Sequence, residues 1–156
     1  MNGLAMPDTA SASVPVPVLV PAASVSVPAH FQSFLAFDYG TKRTGVASGN
    51  RMLSAATPQA TLRTTGDARF ADIEARIREW QPDALVVGVP YHPDGAPHEN
   101  TRAAQKFARQ LHGRFKLPVY EVDERYSTTE ALAGGARDAD AASACIILEQ
   151  FLRGLG

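Results

Sequence analysis

Apolar residues in this chain come in short blocks whose spacing changes from one block to the next. Phe34-Leu35-Ala36-Phe37 is a compact apolar run that stops at Asp38, and Tyr39 to Arg43 is a polar turn. Thr44 to Ser48 resumes as a second strand, closed by Gly49-Asn50. Residues 52–62 supply a third, in which Pro58 calls for a break or an edge position because proline cannot donate to a sheet ladder. The spacing then turns helical. Phe70, Ile73, Ile77 and Trp80 recur at three- and four-residue steps over Gly66 to Trp80, with Glu74 and Arg78 paired on another face.

Ala84 to Val89 is apolar without alternation, as expected of a strand covered on both faces. A loop over Pro90 to Pro97 leads to a second helix ending near Phe115, with Ala103, Phe107, Ala108 and Leu111 as its stripe. Val119 to Val122 is the last strand, a short helical segment follows Ser127-Thr128-Thr129, and a final helix spans about Ala139 to Arg153. Three strands followed by helix–strand–helix–strand–helix predict an α/β domain: a mixed five-stranded sheet flanked by helices. Its first three strands form an antiparallel meander, and right-handed crossovers set the other two parallel to the first.

The leader is of another kind. Residues 1–32 are rich in Ala, Val, Ser and Pro, and Asp8 is the only Asp, Glu, Lys or Arg among them. Pro15, Pro17, Pro21 and Pro28 forbid a continuous helix, and no basic segment precedes the apolar stretch. A disordered, extended tail is expected there, neither signal peptide nor membrane span, with the folded domain over residues 33–156. Composition is that of an ordinary globular chain, and one cysteine, Cys145, excludes an intrachain disulfide and suits a reducing cytoplasm. A formal net charge of −1 means that any polyanion must be recognised by a local patch.

Chemistry concentrates in the acids. In open sheets, ligands gather beyond the carboxyl ends of parallel strands, and Asp38 and Asp123-Glu124 fall there. Taken singly, Asp38 could cap its turn and Asp123 or Glu124 could pair with Arg125. Asp140 is harder to explain so simply. It lies four residues before Ala144 and continues the stripe of Ala144, Ile147, Leu148 and Phe151 where an apolar residue is expected. A sheet-facing carboxylate beside other carboxylates needs a cation. Carboxylate-only ligation suits Mg²⁺ or Mn²⁺, and a pair of such ions can activate water for phosphodiester cleavage. Lys42, Arg43, Arg125 and Arg137 are candidates for holding substrate phosphates, though each taken alone is most simply a solvated charge. Arg102 and Lys106 could touch a substrate backbone, but read more simply as an exposed helix face. His92 and His98 have no third ligand in reach of their spacing, and Cys145 has no adjacent His.

Four ordered motifs then carry a resemblance. Phe37-Asp38-Tyr39-Gly40-Thr41-Lys42-Arg43-Thr44-Gly45-Val46-Ala47, Val87-Gly88-Val89-Pro90 with Asp94-Gly95, Val122 to Ala131, and Asp140-Ala141-Ala142-Ser143-Ala144 resemble the YqgF/RuvX family. The resemblance spans about Phe34 to Leu152. It implies an RNase H-like nuclease domain, a divalent-metal cofactor, and acid roles for Asp38, Glu124 and Asp140, with Asp123 as the alternative to Glu124. It implies nucleic acid as partner, either pre-rRNA at the 5′ end of 16S or branched DNA, with ribosome association and a monomer or homodimer left open. The segment between Thr129 and Asp140 departs from the family in being short and in having only Arg137 where a Lys-rich stretch is usual. Two other readings compete with the nuclease: a non-catalytic nucleic-acid-binding module, and a phosphotransferase opening on Asp38-x-Gly-Thr. The latter needs two such lobes, and this chain has room for one.

Overall fold

The computed structural model describes residues 18–20, 27–92, 94–97, 99–123 and 139–155. Its strands are β1 (Val18–Val20), β2 (Ser33–Tyr39), β3 (Thr44–Asn50), β4 (Ala55–Leu62), β5 (Ala84–Val89) and β6 (Val119–Asp123). Its helices are α1 (Gly66–Trp80), α2 (Thr101–Phe115) and α3 (Ala139–Arg153). The helical segment expected after Ser127-Thr128-Thr129 lies outside the described residues.

The sheet order is β1-β6-β5-β2-β3-β4. The pairs β2–β3 and β3–β4 are antiparallel, while β2–β5 and β5–β6 are parallel. These are the five expected strands in the RNase H-like arrangement. The sequence pattern did not foresee the sixth, since Val18–Val20 has prolines close on either side, yet it lies parallel to β6 with Val18 opposite Tyr120. Pro58 falls in β4 at the far edge, opposite Ala47, where a missing donor costs least. The third strand begins later than its apolar content predicts. Met52 and Leu53 occupy the preceding turn and are exposed, and Ser54 takes a left-handed φ of 51°.

Strand alternation divides the core in two. Phe34, Ala36, Ala47, Ala84, Val86, Tyr120 and Val122 face α3 and pack on Ala144, Ile147, Leu148 and Phe151. Leu35, Phe37, Val46, Leu85, Val87 and Val119 face α1 and α2 and meet Ile73, Phe107, Ala108 and Leu111. All six residues of β5 are buried, which accounts for its lack of alternation. Trp80, expected on the apolar stripe of α1, is instead 40% exposed at the helix end, where Gln81 turns left-handed and bonds back to Ile77.

The face of β3 under α3 carries only small residues: Gly45, Ala47 and Gly49. Their size sets how closely the helix can lie. A Cβ at position 45 would stand 2.0 Å from the Asp140 carbonyl oxygen, far inside contact distance. Gly45 pairs with Asp38 across β2–β3, so the same close approach brings the first turn of α3 to the strand end that carries Asp38. Gly45→Ala is therefore expected to lower stability by about 1–3 kcal/mol in urea denaturation. Gly113→Ala, in open space on α2, should be neutral or mildly stabilising. Equal effects at the two sites would show that α3 is not held down at Gly45.

Candidate active site

Two elements bring the acids together. Strand β2 places Asp38 near its carboxyl end on the α3 face, after four buried apolar residues. Helix α3 places Asp140 in its first turn, where the helix dipole favours an anion. The Asp38 carboxyl is pushed up to about 7, first because burial disfavours its charged form and second because Asp140 stands near it. Asp140 is neutralised from the other side, its Oδ2 accepting from Arg43 Nε at 2.8 Å. The two anchors expected from the sequence thus act on one another electrostatically.

Asp123 belongs elsewhere. It follows Val119 and Glu121 by strand alternation and so shares their α1/α2 face, opposite to that of Tyr120, Val122 and Asp38. Its carbonyl accepts from Gln150 Nε2 at 3.1 Å. Glu124, Arg125 and Arg137 lie outside the described residues. Among the described residues no group of three His, Cys, Asp or Glu is gathered for a metal. The chemistry of the Asp38–Asp140 pair nonetheless fits a hard divalent ion: oxygen donors only, one of them desolvated and facing a second negative charge.

A cleft of about 310 Å³ opens over this end of the sheet, bounded by the Tyr39–Arg43 turn, Asn100 and Asp140. Lys42 and Arg43 are both exposed at its border. Arg43, expected to hold phosphate, spends one donor on Asp140. The turn is fixed from behind by a residue the sequence reading passed over. Arg69 of α1 is buried, with Nη2 donating to the Gly40 and Thr41 carbonyls at 2.9 and 2.8 Å and Nε to Thr64 at 3.2 Å. Its guanidinium also covers the Tyr39 ring, 4.6 Å from the centroid. Arg69 stands four residues before Ile73, so it breaks the stripe of α1 just as Asp140 breaks that of α3.

The other candidates have structural places. His92 starts a tight turn, its N–H donating to Ala96 and its carbonyl accepting from Gly95; His98 lies outside the described residues. Cys145 is half-buried, and burial together with Glu149 pushes its thiol up to about 11, which leaves it unreactive.

A family model described as "RuvX: Holliday junction resolvase" matches residues 32–154. A Polaromonas protein is 76% identical over 127 residues, covering 81% of this chain and 92% of that one. A protein of Albidiferax ferrireducens is 63% identical over 149 residues, covering 91% and 96%. Both carry the name "Putative pre-16S rRNA nuclease". Among solved structures, Thermus thermophilus RuvC in complex with Holliday junction substrate aligns over 79% of this chain and 95% of that one, with 17% identity and a TM-score of 0.49.

The Asp38 environment has a consequence for stability. Its folded pKa of about 7 lies above the ordinary carboxylate value of about 3.9, so folding favours the protonated form. That contribution is complete below about pH 4 and is lost as pH rises through about 7. In EDTA, wild type should lose stability between pH 5 and 8 relative to Asp38→Asn, read from urea midpoints. Parallel pH profiles for the two proteins would contradict the placement of Asp38.

Proposed function

The chain belongs to the RuvX Holliday junction resolvase family, and from that membership we propose a divalent-metal-dependent nuclease acting on structured nucleic acid, with the 5′ end of pre-16S rRNA as its substrate. The observation that carries this reading is the carboxyl of Asp38, pushed up by burial and by the charge of Asp140, which itself borders an open cleft. A carboxylate so placed is unfavourable in a merely structural or merely binding module, and becomes useful when a cation is to be held. The RNA substrate follows the name shared by relatives that align with nearly all of their own length.

Asp38 and Asp140 would hold Mg²⁺ or Mn²⁺, with Glu124 as third ligand. Glu124 is preferred to Asp123 because Asp123 lies on the face opposite to that of Asp38. When bound, such an ion would lower the pKa of a coordinated water and offset negative charge on a leaving oxygen. The protein's own part is positional. Lys42 at the cleft border offers its ammonium to a phosphate, and Arg43, bound to Asp140 through Nε, keeps its two Nη groups as donors. Arg125 and Arg137 are further candidates for the same backbone. Arg69 holds the turn that presents Lys42 and Arg43. No described helix is long and apolar enough to cross a membrane. A cytoplasmic site of action, with the precursor in or near the ribosomal particle, fits an rRNA substrate.

Labelled pre-16S RNA and four-way DNA junctions, each with Mg²⁺ or Mn²⁺, separate the readings. Wild type should cleave the RNA, EDTA should abolish cleavage, and Asp38→Asn and Asp140→Asn should each lower the rate at least about 100-fold. Cleavage of the junction in preference to the RNA would move the substrate to DNA. If neither is cut, or if the variants cut as well as wild type, the nuclease reading fails.

A further inference from the structure

The stretch Thr101 to Tyr120 contains Arg102, Lys106, Arg109, Arg114 and Lys116 and no Asp or Glu, in a chain whose acids otherwise outnumber its Lys and Arg. This is the local patch that the overall charge requires of any nucleic-acid binder. Most of it is helix α2, and all five cations are exposed.

They are not equivalent. Arg114 approaches Asp67 at 3.5 Å and stacks on Phe70 with 4.1 Å to the ring centroid. Arg109 stands close enough to the buried Glu121 to favour its charged form, against the desolvation that raises its pKa. Arg102 and Lys106 form no ion pair among the described residues. They lie four residues apart, so one helical turn separates them by about 6 Å along the axis on a common face.

The place of α2 gives this pair its meaning. Asn100, immediately before the helix, borders the acid cleft. A second cleft, of about 320 Å³, runs between α1 and α2 and is bounded by Tyr39, Gly66, Arg69, Phe70, Lys106 and Gln110. Tyr39 borders both clefts, so the two are neighbours around one side chain. Arg69 covers the Tyr39 ring and Arg114 the Phe70 ring, which leaves little aromatic face for a base to stack on. Cations are on offer; stacking platforms are not. That combination suits a phosphodiester backbone and carries no base sequence information.

We propose that Arg102, Lys106 and the α1–α2 groove bind the backbone of the substrate strand flanking the scissile phosphate, leading it past Tyr39 without reading its bases. This rests on the nuclease reading of the acid cleft, and its test is separable from cleavage. The probe is a labelled RNA hairpin with a single-stranded flank, bound in EDTA over a series of salt concentrations. Loss of two phosphate contacts should lower the log K against log salt slope by about 1.4 in the Arg102→Gln/Lys106→Gln protein. Affinity at low salt should fall about tenfold or more, whatever the flank sequence, with Tm unchanged. Arg78→Gln, on the exposed surface of α1 beside Glu74, should bind as wild type.

A double variant with the wild-type slope, or a loss confined to one flank sequence, would overturn the groove proposal. If wild type cuts nothing with Mg²⁺ while the slope still falls, the groove stands and the nuclease reading alone fails. If cleavage proceeds and the slope is unchanged, the groove alone fails.

Discussion

The close seating of α3 on Gly45 is the constraint from which the rest of the site follows. The carbonyl of Asp140 occupies the space a β-carbon would take, so the helix can lie this low only over a bare backbone. Gly45 is also the partner of Asp38. One missing side chain therefore brings two acids from positions about a hundred residues apart to the same end of the sheet. Ala47 and Gly49 continue the small-residue track, and Ile147, Leu148 and Phe151 hold the helix onto it, each contributing on the order of 2 kcal/mol by apolar burial. The packing that stabilises the domain is thus also what forces the carboxylates together.

That arrangement is electrostatically unfavourable on its own, and the structure shows how it is tolerated. Asp38 keeps its proton to near pH 7, and Arg43 supplies a positive charge to Asp140. The Arg43 turn is itself held by the buried Arg69, whose charge is satisfied by three backbone carbonyls rather than by an acid. No negative charge is spent on that clamp. A divalent ion would complete the balance by stabilising the ionised form of both acids.

Much of this was legible in the sequence because it depends on periodicity. The five main strands, the three helices and the buried character of β5 all follow from the spacing of apolar residues. Asp140 stood out because it occupies a stripe position, and Asp38 because it ends an apolar run. Strand parity also separates Asp123 from the α3 face, although the sequence alone left it as the alternative to Glu124, since the register of β6 against β5 was needed. Other features leave weaker traces. A glycine in a strand is ambiguous until the helix above it is placed, so Gly45 passed as part of a motif. Arg69 breaks an apolar stripe by the same rule as Asp140, but a long basic side chain at such a position usually reaches solvent and draws no notice. Val18–Val20 joins the sheet edge through backbone pairing, which short apolar residues among prolines do not announce. Trp80 looked like core because its spacing is right, yet the helix ends at Gln81 before the sheet can cover it.

On the proposed function, Asp38 and Asp140 are two ligands of one cation. A crystal of the protein soaked in Mn²⁺ and measured at the manganese edge tests it most directly. An anomalous peak bonded to carboxylate oxygens of both residues, at about 2.0–2.2 Å, is expected, with no such peak in Asp38→Asn. A peak that touches only one of them, or none while the ion binds elsewhere, would contradict it.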